Sequence, residues 1–173
     1  MLNAAPFSFF NVFSEDPALA VIGLEARRAD DGLKDTTVNI RDTGELVINL
    51  VDRPLAAAMT ACATDLRAED DELAFAGLSP APSRVVSVPG IAEAPVRLEC
   101  RLFELRPITQ RRHLCIAEIA GVHIREGIVD PDTLYVDLAT YRPVGRLFAD
   151  RYHEVAETFD IPIPPPPAAL ERR

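Results

Sequence analysis

The densest chemistry in the sequence lies near its beginning. Asn3-Ala4-Ala5-Pro6-Phe7-Ser8-Phe9-Phe10-Asn11 gathers three phenylalanines, one serine and two asparagines around a single proline. Proline fixes its own φ and pushes the residue before it toward extended backbone. Aromatic and polar groups are therefore expected to alternate along an extended stretch. Backbone amides and a serine hydroxyl presented in this way can hydrogen-bond a planar heteroaromatic ligand or its phosphate. The same pattern also describes an aromatic core strand flanked by turn residues. The residues alone leave both readings open.

The common catalytic constellations are missing. His113, His123 and His153 are the only histidines, and none has a metal-type partner at helical or turn spacing. They read as structural. Ser8, Ser14, Ser79, Ser83 and Ser87 lack the context of a nucleophile elbow. Cys100 stands between Glu99 and Arg101 in a strand-like run, where a buried structural thiol is expected. The acidic stretch Asp65 to Glu72 reads as a solvated helix face, and no glycine-rich phosphate loop occurs. No side chain is assigned as catalytic and none as a metal ligand.

The elements that must position the aromatic cluster follow from periodicity and punctuation. Ala5 to Phe13 reads as a strand or extended turn, Asp16-Pro17 as a turn, and the apolar run Ala18 to Leu24 as a buried strand. Glu25 to Gly32 reads as a loop. A helix follows: Asp35 or Thr36 is expected to cap it, Val38 and Ile40 to supply its apolar contacts, and Gly44 to end it. Leu46 to Val51 is a β-branched strand. Arg53-Pro54 opens a second, alanine-rich helix through Ala63, and Glu69 to Ala76 a short third one.

From Ser83 onward the pattern turns to β. Val85 to Val88, Val96 to Leu105 and His113 to Ile124 are expected strands, with Arg106 to Arg112 joining the last two as a long hairpin. Arg97, Glu99, Arg101 and Glu104 interleave with apolar residues, so they are expected on a wet face. Beyond Asp130 the chain is turn-rich, with Tyr135, Tyr141 and Tyr152 spaced through it. Ile161 to Pro167 should be extended, polyproline-like chain. The order lacks regular βαβ alternation, which predicts a mainly β barrel with helical insertions rather than a doubly wound fold. One domain over 1–160 and a proline-rich tail over 161–173 are expected.

Composition narrows the partners. A chain of 173 residues, 48% hydrophobic and 26% charged, suits one globular domain. Tryptophan is absent, so the core must be built mainly from Val, Leu, Ile and Ala. A net charge of −9 repels polyanions and argues against nucleic acid, while leaving room for a local cationic pocket. Three dispersed cysteines argue against a disulfide frame or zinc site and for a reducing compartment. No charged leader with an apolar run is seen, nor the ~18 continuous apolar residues of a membrane span. A cytoplasmic location away from membranes is expected.

A family resemblance now joins these pieces. Asn3 to Asn11 resembles the N-x-A-P-F-S-F-F-N signature of the flavin reductase-like, FMN-binding split-barrel family, which includes flavoredoxins and the reductase components of two-component flavin monooxygenases. Ser14-Glu15-Asp16-Pro17 resembles its S-x-D-P-P turn. Lys34-Asp35-Thr36, Asn39-Ile40 and Gly44 to Leu50 are similar to its K-D-T-x-x-N-I-x-x-x-G-E-F-V-V-N-L stretch. Phe75 to Leu78, Ile91 to Val96, Leu98-Glu99-Cys100, Tyr141 to Leu147 and Tyr152 continue the match in order. The ordered series, from Asn3 to about Phe159, is more specific than any piece of it.

The resemblance implies a six-stranded Greek-key split barrel with a helical insertion, assembled as a homodimer with FMN near the subunit interface. Carried over by position, Asn3 and Ser8 would lie against the FMN phosphate and ribityl chain. Phe9, Phe10 and Asn11 would present backbone to the isoalloxazine edge. Lys34, Asp35 and Thr36 would complete the phosphate site, which agrees with the affinity of a helix N-terminus and a cation for phosphate. The implied activity is hydride transfer from NADH or NADPH to flavin, with a monooxygenase or another acceptor taking the electrons. One departure sets an alternative. Family members carry a segment resembling R-P-I-x-W-V-S-T ahead of the N-x-A-P motif, whereas this chain starts two residues before Asn3. An N-terminally truncated barrel is therefore expected. The alternative function is a flavin-binding or structural dimeric module without reductase activity.

Overall fold

A computed structural model of the chain describes residues 2–27, 32–64, 66–67, 70–155 and 157–165. Its elements run β1 (Phe10–Glu15), β2 (Ala18–Glu25), α1 (Asp35–Thr43), β3 (Glu45–Leu50), α2 (Ala56–Ala61), α3 (Glu72–Ala76), β4 (Pro80–Ala81), β5 (Gly90–Ile91), β6 (Val96–Thr109), β7 (Arg112–Ile124), β8 (Val144–Phe148) and β9 (Arg151–Glu154). Five strands form one antiparallel sheet in the order β1-β2-β7-β6-β3. The pairs β4-β5 and β8-β9 stand apart as two small sheets.

The apolar run at Ala18 becomes β2 because it lies between two partners, β1 and β7. Its Leu19, Ala20, Ile22 and Leu24 are buried. Ile22 and Leu24 meet Ile40 of α1, Leu46 of β3 and Val96, Leu98, Cys100, Cys115 and Ala117 of the central hairpin in the main core. Sinking one leucine such as Leu24, 1% exposed, contributes about 2 kcal/mol. A second apolar cluster joins α2 and α3 through Leu55, Cys62, Leu73 and Leu78, and Leu2 and Ala4 of the N-terminal segment pack on it.

Several expectations change. α1 starts as predicted, but Lys34 is its N-cap and makes no side-chain cap bond, so Asp35 and Thr36 fall in the first turn. Its other end is as read: Gly44 is left-handed at φ 69°, and its N–H reaches Ile40 O. The central hairpin is longer than expected. β6 continues to Thr109 and β7 begins at Arg112, so most of Arg106 to Arg112 is strand and not turn. Val85 to Val88 is not a strand, because the amides of Val85 and Val86 bond to a carboxylate instead of a neighbouring strand. That carboxylate is Glu99, which is 1% exposed, so one of the four charges assigned to a wet face is buried.

The second helix is shorter than its alanine-rich sequence, with Arg53–Leu55 as a turn before it. α3 starts at Glu72, where the Asp71 carboxylate accepts from Ala74 N at 3.1 Å. Glu69, where that helix was expected to start, lies outside the described residues, as do Asp65 and Ala68. The turn-rich stretch after Asp130 contains an unforeseen hairpin, β8-β9, which carries Tyr152. Residues 161–165 carry no helix or strand, and the rest of the expected polyproline-like segment lies outside the described residues.

Candidate functional site

The N-terminal segment, α1, β3 and the β8-β9 hairpin enclose a cavity of about 830 Å³. Phe10, Ile22, Leu24, Ile40 and Leu46 make part of its wall apolar, and Asn3, Ser8, Thr36, Asn39 and Arg146 supply polar groups. The volume lies within the usual range for small-ligand sites, and the mixed lining matches theirs.

Asn3 is held from two sides. Thr36 Oγ1, in the first turn of α1, donates to Asn3 Oδ1 at 2.7 Å. Asn3 Nδ2 in turn donates to Glu72 Oε2 at 2.9 Å, and the Ala4 amide donates to the same oxygen. Glu72 therefore fastens the extended segment to α3. Burial pushes its carboxyl above the ordinary carboxylate range, and the Ala4 and Asn3 bonds only partly offset that. Further along, Arg146 of β8 donates to Ser8 Oγ at 3.4 Å, so the hydroxyl and a cation meet at the cavity.

The opposite wall comes from Ser87, Val88 and Pro89. Two carboxylates pin this loop. Glu45 Oε2 accepts from Ser87 N at 2.7 Å and also from its hydroxyl; those bonds, the hydroxyl's first, lower the Glu45 pKa. Glu99 accepts from the amides of Arg84 at 2.9 Å, Val85 at 2.7 Å and Val86 at 3.2 Å, and from the His123 ring. Burial alone would raise the Glu99 pKa. The amides of Arg84 and Val85, the imidazole and the Val86 amide outweigh burial and hold it at about 2.

Of the residues singled out in the sequence, Asn3, Ser8, Phe10 and Thr36 border the cavity together. Phe9, Asn11, Lys34 and Asp35 are not among its lining residues. Phe9 accepts from Gly23 N through its carbonyl at 3.1 Å while its ring is exposed, and Asn11 pairs with Val21 in the hairpin. Lys34 and Asp35 are exposed at the N-terminal end of α1, beside Thr36. Sequence reasoning missed Glu72, which it placed on a solvated face, and the loop Ser87–Pro89. The only signal for Glu72 was an acid just ahead of a short apolar helix, too common to be informative. Among the described residues no three His, Cys, Asp or Glu side chains gather to hold a metal ion.

An antiparallel sheet with inserted helices, and a cavity of small-ligand size between an N-x-A-P segment and a helix N-terminus, define a mainly β domain with a candidate binding site. Residues 1–145 match the family described as the flavin reductase like domain, and the chain belongs to that family. Its fold is the split barrel of flavin reductases. A protein of Aquifex aeolicus is 37% identical over 152 residues, covering 88% of this chain and 76% of that one. The 2-nitrobenzoate 2-nitroreductase NbaA of Pseudomonas fluorescens superposes with a TM-score of 0.84 at 32% identity, covering 96% of this chain and 80% of its own. Nitrilotriacetate monooxygenase component B of Bacillus cereus superposes at 0.87 with 29% identity, covering 92% and 79%.

Proposed function

We propose that the protein is an FMN-binding oxidoreductase of the flavin reductase type, taking hydride from NADH or NADPH. The observation that carries this reading is the Asn3–Thr36 hydrogen bond, which ties the extended aromatic segment to the positive end of α1 at the rim of a cavity of about 830 Å³. The residues fit the cofactor. Phe10, Ile48 and Leu50, half-buried on the cavity wall, offer an apolar surface to a planar ring system, and Ser8 and Arg146 offer donors to a ribityl phosphate. Thr36 in the first turn of α1, with Lys34 and Asp35 beside it, would complete the phosphate site.

When bound, the flavin supplies the hydride-accepting ring; the protein binds and orients it and excludes water. No acid–base pair of the chain is needed for that step. Electrons would pass to a monooxygenase or to another acceptor, as the names of the two structural relatives suggest by analogy. A homodimer suits the large exposed side chains Phe9, Phe103 and Phe148, which a second copy would cover. The described residues include no helix long and apolar enough to cross a membrane. Three free, buried cysteines are consistent with a reducing, cytoplasmic setting.

The direct test is an absorbance titration with FMN followed by washing, then nicotinamide oxidation with and without flavin. A retained, shifted flavin band and FMN-dependent oxidation of NADH or NADPH are expected. An unshifted band at saturating FMN would remove the cofactor assignment. A shifted band without nicotinamide turnover would leave a flavin-binding module.

A further inference from the structure

The segment that closes the first cavity also borders a second hollow, of about 430 Å³, which shares no lining residue with it. Three arginines and a histidine converge there: Arg84, Arg97, His123 and Arg125. On a chain with 27 acidic and 18 basic residues, this is a local reversal of sign.

Two of the basic side chains, His123 and Arg125, are held by buried acids. Glu99, 1% exposed, takes the Arg84 backbone amide and the His123 ring, and so anchors the chain at Arg84 and the imidazole. Asp52, 4% exposed, accepts from Arg125 Nη2 at 2.7 Å on one oxygen and from Leu55 N at 3.2 Å on the other. Arg97 stands opposite His123 in the β6-β7 register and passes close over Gly90, where a Cβ would come within 2.7 Å of Arg97 Cδ. The oxygens of both buried acids are thus engaged. The guanidinium groups of Arg84 and Arg97 make no hydrogen bond or ion pair among the described residues.

The balance is an excess of donors over acceptors, with three guanidinium charges against two carboxylates. Guanidinium forks match phosphate oxygens two at a time. Val122 and Ile124 on the same hollow are 54% and 47% exposed and can cover the organic part of an ester.

We propose that this hollow is a phosphate site, binding a phosphoryl or pyrophosphoryl group through Arg84, Arg97 and Arg125, separate from the flavin cavity. The group can come from a free inorganic anion or from the phosphates of a nicotinamide dinucleotide. The test is calorimetric titration of the full chain with inorganic pyrophosphate at low salt, then with NADPH in competition. Arg84→Gln and Arg97→Gln are the variants, and Arg97→Lys is a charge-conserving control. Saturable binding at one anion per chain is expected, weakened at least roughly fivefold by each glutamine variant, with FMN titration unchanged. Competition by NADPH assigns the site to a dinucleotide; its absence assigns it to a free anion. No saturable binding, binding in both glutamine variants as tight as in the natural chain, or displacement of pyrophosphate by FMN would each overturn a separate phosphate site. Because flavin binding is read in its own titration, failure there and failure here are distinguishable.

Discussion

Thr36 Oγ1 and Asn3 Oδ1 lie 2.7 Å apart, a hydrogen bond between residues 33 positions apart that joins the first turn of α1 to the N-x-A-P segment. Both side chains border the cavity, so one contact sets the distance between the two halves of the candidate flavin site.

Thr36→Val keeps the shape of the side chain and removes the donor. A neutral hydrogen bond of this kind contributes about 1 kcal/mol, so a stability loss of that order is expected in urea. The FMN dissociation constant should rise roughly fivefold as Asn3 becomes free to turn. An unchanged flavin titration would detach this contact from the site.

Glu72 should make stability depend on pH in one direction. Its folded pKa is raised by burial, so its contribution is complete below the unfolded value and is lost as pH rises through the folded one. Glu72→Gln keeps an acceptor for Asn3 without the charge. Relative to the natural chain it should become progressively more stable as pH rises above the ordinary carboxylate range. Urea midpoints at a series of pH values measure this; a constant difference would contradict it.

Glu99 should act in the opposite direction. Its pKa falls from 4.5 to about 2 in the fold, so its contribution is present above the unfolded value and disappears as pH falls through the folded one. Glu99→Gln halves the acceptor capacity facing three amides and a histidine, and about 2 kcal/mol should be lost at neutral pH. Its acid unfolding curve between about pH 5 and pH 2 should be flatter than that of the natural chain.

The three thiols should be silent in the folded state. Burial pushes Cys100 up to about 12 and Cys115 to about 11, and Cys62 is raised by the same cause. The thiolate is the reactive form. A disulfide reagent at mildly alkaline pH should label almost none of them until denaturant is added, and then three per chain. Rapid labelling of the native protein would show that the core opens locally.

Ser8→Ala and Lys34→Ala test the phosphate end of the flavin site on two different elements. Ser8 and Lys34 are exposed, so both variants should keep the native stability to within about 0.5 kcal/mol. Each should weaken FMN binding severalfold. Loss in only one of them would locate the phosphate on that side of the cavity.

The run at Ala18, the helix ending at Gly44 and the paired strands around Cys100 and Cys115 all carry local patterns, and each appears as an element close to where it was read. Val85 to Val88 carries an equally good local pattern and fails. β-branched residues favour extended chain, but a strand also needs a partner for its amides, and here Glu99 is that partner. Of the eight positions assigned to the site, the four bordering the cavity include Asn3 and Thr36, which are distant in sequence. Their joint assignment came from the ordered motif and not from periodicity.

Composition and period determined by themselves a mainly β chain with helices inserted after β2 and β3, and the N-x-A-P to G-E-L-V series carried its resemblance to the flavin reductase-like family. These are local or additive properties, readable because strand and helix periods differ and because motif order survives where the contacts are not known. The tertiary structure alone decided that Glu72 grips the N-terminal segment, that Glu99 is buried beneath a loop, and that Arg84, Arg97 and Arg125 share a hollow. Whether a charge ends up in water or under amide donors depends on what distant segments bring to it, and the side chain's own neighbours in sequence carry no record of that.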